Sequence, residues 1–364
     1  MKKFIYIIVS SIFIIVLLSV TVNATDTNVN EVWDSVDSKT EGYLEDLGIT
    51  EITFNEIFDL SPTRVINFLF DLAFSTGFTI HKKVITVIII ILIISIANAF
   101  IKESNNFEQL ISFVGLMAIF GVIIEPISRI ITDVAVGIKT STIFVNSYLP
   151  VMTAIIVASK NPGLAITYNS FSIFLSSLIA SVCDKFFMPF TSLILSFNIL
   201  SSFSFENFRE KILAGCKRII IVILSLFSTV YTGLLTTQSL LATSSDSIAL
   251  RGIKFISGAF VPIVGPGVGD AISSVFSSFV IMKNTLGVFV IIVIILINLP
   301  VIVELLMWYF AIQICSIVSS LLGIKNITDV LDGISTLISL LNIILFFVTF
   351  VLVISTGVII MMGK

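Results

Sequence analysis

The stretch "VITVIIIILIISIANAFI" (residues 84–101) decides the fold. It carries no charge and consists almost wholly of Ile, Val, Leu, Ala and Phe. As a helix rising 1.5 Å per residue it covers about 27 Å, close to the ~30 Å hydrocarbon core of a bilayer. Lipid accepts only backbone that satisfies its own hydrogen bonds, so the stretch is read as a membrane-spanning helix. Seven further stretches repeat the pattern, at 110–126, 143–158, 164–182, 186–204, 219–241, 286–311 and 337–361. The run at 143–158 is short and has Pro150 in its middle.

Composition agrees. The 364-residue chain is 57% hydrophobic and 12% charged, where a soluble domain carries about 25% charged residues. Too little polar surface remains to cover a water-soluble particle. The fold class is therefore an all-α polytopic membrane protein of about seven to eight transmembrane helices. The net charge of −3 is too small to imply a nucleic-acid partner. The three cysteines, Cys183, Cys216 and Cys315, have no metal-ligand spacing and read as small apolar fillers. No cofactor and no metal are expected. The chain has one His, no H-E-x-x-H and no phosphate-binding G-x-x-x-x-G-K-[ST] loop.

The ends of the apolar runs set the domain plan. Lys2 and Lys3 precede an apolar run, and Val22 and Ala24 supply small residues after it, so residues 1–24 read as a signal peptide. The alternative is an uncleaved first span. Either way the following segment starts on the outer face. Residues 25–60 are acidic, with Lys39 the lone basic residue among them, and form an external segment. Residues 61–83 open with Ser61-Pro62, an N-cap and a first-turn proline, and contain Asp71; they read as an interfacial amphipathic helix. Residues 84–364 make the multi-span domain. The densest basic cluster, Arg209, Lys211, Lys217 and Arg218, then falls inside, after five crossings from an outer start. His81-Lys82-Lys83 is the exception, since the count places it outside.

Proline, glycine and charge converge in "GAFVPIVGPGVGDA" (258–271). Pro262 and Pro266 break an apolar run shorter than a standard span, which predicts a re-entrant or discontinuous segment at 255–282. Gly265 and Gly269 form a G-x-x-x-G that allows close helix approach. "GVGD" also fits the G-x-G-D of intramembrane aspartyl proteases, but such enzymes need a second carboxylate nearby. No Tyr-Asp pair supplies one. Asp270 instead lies near a helix start, where the macrodipole favours a carboxylate. The segment is a hinge or gate candidate, comprising Pro150, Pro262, Gly265, Pro266, Gly269 and Asp270. "SYLPVMTA" (147–154) weakly echoes "AFVPIVGP" (259–266); such pairs mark the substrate region in repeat-built transporters, and shared proline punctuation alone explains it too.

Two carboxylates stand at membrane depth. Glu125 precedes Pro126, and Arg129 one turn on is its expected partner. Glu304, in "INLPVIVELLMWYF", has no cation within a turn or two. A lone carboxylate in a span costs about 3 kcal/mol on insertion scales and faces a cavity or a partner. Trp308 and Tyr309 suggest an interface belt beside it.

The leader, the acidic external segment, "YLPVMTA" (148–154) and "FVPIVGPGVGDA" (260–271) together resemble the stage III sporulation protein AE family of endospore-forming bacteria. Pro266 stands where a Gly or another small residue is expected. The resemblance covers nearly the whole chain. It implies a subunit of a multi-protein channel complex in the mother-cell membrane around the forespore. The implied partners are other stage III subunits, including a secretion-type ATPase and ring-forming proteins. The implied role is permease- or export-gate-like and non-enzymatic, in late forespore development. A non-conducting assembly platform and a stand-alone secondary transporter are the alternatives.

Overall fold

The computed structural model describes residues 30–100, 105–158, 162–201, 212–233 and 265–361. The leader, the basic residues Arg209 and Lys211, and Pro262 lie outside them, as do residues 255–264 of the predicted broken segment. Every element formed by the described residues is helical.

Three short helices come first: α1 (Asn30–Trp33), α2 (Ser38–Leu47) and α3 (Phe54–Phe58). Asp37 caps α2 by accepting from the Thr40 N–H at 3.2 Å. Gly48 ends it at φ +82°, and the Gly48 and Ile49 N–H groups return to the carbonyls of Glu45 and Leu44. The helices bury Leu44, Leu47, Ile49 and Ile57. Trp33 stacks on Phe289 at 5.7 Å, and Tyr43 meets Phe68 edge-on at 5.5 Å. The acidic segment is thus docked on the long helices that follow.

Those helices are α4 (Pro62–Phe100), α5 (Asn105–Ala158), α6 (Pro162–Val182), α7 (Met188–Ser201), α8 (Ile212–Gly233), α9 (Gly265–Leu321) and α10 (Lys325–Met361). Six are long and apolar enough to cross a membrane, counting α6 and α7 as one through the π-helical turn Cys183–Phe187. The eight stretches of the sequence fall into these six because neighbouring runs fuse. Runs 110–126 and 143–158 share α5, which continues through Pro126 and Pro150. A proline removes one helical hydrogen bond, which a packed membrane helix tolerates. Asp184 and Lys185, which separate runs 164–182 and 186–204 in the sequence, lie inside the π turn. Residues 62–83, expected as an interfacial helix, are continuous with the apolar run that follows and form the first half of α4. The described part of the broken segment, 265–282, runs without interruption into α9. Pro266 is the second residue of α9, where its missing N–H is unpaired anyway.

At 1.5 Å per residue the 54 residues of α5 and the 57 of α9 reach about 80–85 Å, far beyond one hydrocarbon core. The core of the bundle is α9 with α10. In these two, 56% of the apolar window is buried, against 17% in α4 and 11% in α8, so α4 and α8 are peripheral. The α9–α10 hairpin turns at Gly323, φ +75°, whose N–H returns to the Ser320 carbonyl. Helices α4 and α5 run antiparallel, with Ile94 against Gly115. Helices α5 and α9 do too, joined where the Asn298 amide donates to the Ser141 hydroxyl at 2.7 Å.

Candidate functional site

Helices α4, α5 and α9 meet at a cluster of charges. Lys83 of α4 donates to the Glu125 carboxylate of α5. One turn on, Arg129 Nη2 donates to Glu304 Oε1 of α9 at 2.9 Å, and Arg129 Nε stands 3.9 Å from Asp133 Oδ2. Between them lies a cavity of about 230 Å³, lined by Thr76, Thr79, Ile80, Lys83, Arg129, Glu304 and Trp308. That space suffices for several waters at ~30 Å³ each. Trp308 is 2% exposed, and its Nε1–H has no hydrogen-bond partner among the described residues.

Both carboxylates singled out in the sequence are in this one site. Their partners differ from the expected ones. Glu125 pairs with Lys83, from another helix, and Arg129 turns to Glu304 and Asp133. The geometry of α5 explains the switch. Arg129 is flanked on its own helix by carboxylates one turn before and one turn after, and α9 brings a third. Glu304 lacks a sequence neighbour because its cation is supplied across 175 positions. Lys83, anomalous in the charge count, is neutralised by its pair. Sequence reasoning missed Lys83, Arg129 and the threonines as site residues; a hydroxyl at each turn of 76–79 just before Lys83 is the signal it had.

The Pro/Gly residues lie elsewhere. Gly265, Pro266, Gly269 and Asp270 occupy the first turns of α9, and Asp270 is about 50 Å along that helix from Glu304. Pro150 lies inside α5. Two residues before it, Tyr148 makes a second polar centre. Its hydroxyl is 2.8 Å from that of Tyr168 on α6 and 3.0 Å from Thr356 Oγ1 on α10, all three buried. The Tyr148 of the family fingerprint therefore clamps three helices through a shared hydroxyl cluster. Nearby, the Tyr231 hydroxyl donates to the Val351 carbonyl at 3.0 Å and ties α8 to α10. Cys183 and Cys315 are buried among apolar neighbours as fillers.

The model of the "Stage III sporulation protein AE" family matches residues 38–363, from α2 to beyond the end of α10. A similar curated protein is the stage III sporulation protein AE of Bacillus subtilis (strain 168). It is 24% identical over 307 residues, covering 82% of this chain and 76% of the relative. No solved structure matches. The match takes in α2 and α3 of the acidic segment, the charged junction and the tyrosine cluster together, and the chain belongs to the stage III sporulation protein AE family.

Proposed function

We propose that the chain is a membrane subunit of a channel complex between mother cell and forespore, with an export-gate-like role in late forespore development. The observation that carries this reading is the α4–α5–α9 junction. A packed apolar crossing would hold these helices together without charges. Here instead, ion pairs, each half-exposed on at least one side, surround a polar cavity between membrane-length helices. Such pairs exchange partners at modest cost, and that suits a latch between two helix arrangements. Family membership supports the sporulation role, and the six long apolar helices support multi-pass insertion.

The proposed orientation has the acidic helices α1–α3 facing the space between the two membranes. Among the described residues, three helices of crossing length precede the basic residues 209–218, against five stretches in the sequence reading. Both numbers are odd, so an outer start still puts these basic residues on the mother-cell side.

The platform reading also has an observation behind it. Ile66, Phe70, Phe74 and Phe78 form an exposed stripe on α4, as a scaffold contact would. Glu304→Gln separates the two readings, measured by co-isolation of the other stage III subunits and by a late forespore reporter. A gate gives normal assembly with lost expression. Normal expression from Glu304→Gln would sink the gate.

A further inference from the structure

The exposed face of α4 is too long for one bilayer. Apolar side chains emerge on it from Ile66 to Phe100, about 50 Å of helix against ~30 Å of hydrocarbon. A tilt of about 40° still leaves it roughly 10 Å too long. The two halves differ in what accompanies the apolar residues. From Val84 to Phe100 there is no charged residue. From Pro62 to Lys83, Arg64, Asn67, Asp71 and Lys82 are exposed beside Ile66, Phe70, Phe74 and Phe78. Lipid therefore suits the second half. The ridge of the first half, with Phe70 71% and Phe74 78% exposed, needs protein to cover it.

A second α4 is the wrong cover. Copies in one membrane are related by rotation about its normal, which keeps every residue at its own height. An α4–α4 contact would set Asp71 against Asp71 and Lys82 against Lys82. The part of α5 beyond Pro126 fits instead. Thr132, Val136, Lys139 and Ile143 are exposed there at alternating steps of four and three, the spacing of a helix-pairing seam. Contacts within the chain fix the heights. On the antiparallel α4 and α5, Ile94 meets Gly115 and Lys83 meets Glu125. Beyond Pro126 the path through α9, from Gly77 to Met307 and from Asn298 to Ser141, agrees within about one residue. Val136 is thus level with the stretch between Phe70 and Phe74, and Ile143 with Ile66. Lys139 lies within about two residues, ~3 Å, of the height of Asp71. Neither Asp71 nor Lys139 has an ion-pair partner among the described residues.

We propose that copies of this chain assemble front to back, the α4 ridge of one lying on residues 132–143 of α5 in the next, with Asp71 paired to Lys139 across the contact. Because the two faces differ, the contact repeats about an axis along the membrane normal and builds a ring. The assembly is independent of the gate reading and holds equally for a platform.

The test uses the full chain with Cys216→Ser, which leaves the two buried native cysteines. One tagged copy carries Phe74→Cys, and a differently tagged copy carries Val136→Cys. They are co-expressed, and the membranes are oxidised mildly. Disulfides between the two tags are expected to outnumber those between like copies. Asp71→Lys on the first copy, or Lys139→Asp on the second, should lower the cross-linked fraction about fivefold, the upper size of one exposed ion pair. Both changes together should restore it. Disulfides formed mainly between two Phe74→Cys copies would overturn the proposal, as would capture of that cysteine by a different protein. So would cross-linking unchanged by the single charge reversals, or absent from chains that insert with wild-type helicity.

Discussion

Arg129 and Glu304 bind each other across 175 positions, and their coupling energy is the most informative number the junction offers. At 4 Å, two unit charges interact by about 1 kcal/mol in water and about 4 kcal/mol at an effective dielectric of 20. Arg129 is half-exposed and Glu304 is 21% exposed, so the pair lies between these limits. The 2.9 Å charge-assisted hydrogen bond favours the upper part, and screening of the arginine favours the lower. The expected coupling is about 2 kcal/mol. A double-mutant cycle of Arg129→Gln and Glu304→Gln isolates it, read by unfolding in mixed micelles. Each single variant should destabilise, and the double variant should lose clearly less than the sum. Arg129→Gln should cost more than Glu304→Gln, since it also releases Asp133. Additive losses would refute the pairing, as would a coupling under about 0.3 kcal/mol, the scatter of independent sites. The same cycle on Lys83 and Glu125 should give a smaller coupling, because Glu125 is the more exposed partner.

Other outcomes follow from the packing and the polar clamps. Tyr148→Phe should cost about 1 kcal/mol in bilayer-mimetic unfolding, the usual size of an interhelical hydrogen bond, by removing the hydroxyl that joins those of Tyr168 and Thr356. Ile94→Cys with Gly115→Cys should cross-link on mild oxidation. A Cβ at Gly115 would stand 3.8 Å from Cβ of Ile94, the mean for a disulfide, and failure to cross-link would refute the α4–α5 register. Burial acts to raise the Glu56 pKa, but the Thr50 and Glu51 N–H groups and the Thr50 hydroxyl outweigh it, so the net shift is downward. A carboxyl depressed in the folded state stabilises above its unfolded pKa of about 4.3 and loses that contribution as pH falls through the folded value. Trp33 fluorescence, in a Trp308→Phe background, should therefore report loosening of α1–α3 below pH ~4, with a weaker acid transition in Glu56→Gln.

Much of the fold was legible because lipid imposes a simple rule on sequence. Residues 84–101 contain no charge, and the structure makes 84–100 the second half of a helix. What failed was the counting. Pro126 and Pro150 read as punctuation in a sequence, yet neither ends α5, because neighbouring helices compensate the lost backbone bonds. Residues 127–142 separate two apolar runs in the sequence, but within α5 Ser141 accepts from Asn298 and Arg129 pairs with Glu304. A residue that looks soluble in sequence can be polar because of a distant partner. The site was half legible for the same reason. Glu304 was conspicuous as a lone carboxylate, and its isolation marked a long-range cation without naming it. Glu125 had a cation one turn away, which made the local pair the natural but wrong choice. The glycine–proline segment at 258–271 drew the eye most, and its described part is a helix start far from the junction.

The central claim is that the junction works as a latch, needed for activity and dispensable for assembly. Charge reversal in sporulating cells tests it most directly. Arg129→Glu and Glu304→Arg are introduced singly and together, with a late forespore reporter and co-isolation of the complex measured side by side. The account predicts assembled complex in all three strains, loss of reporter in each single variant, and recovery in the double variant. Full reporter activity in the single variants, or reporter and assembly lost together, would contradict it.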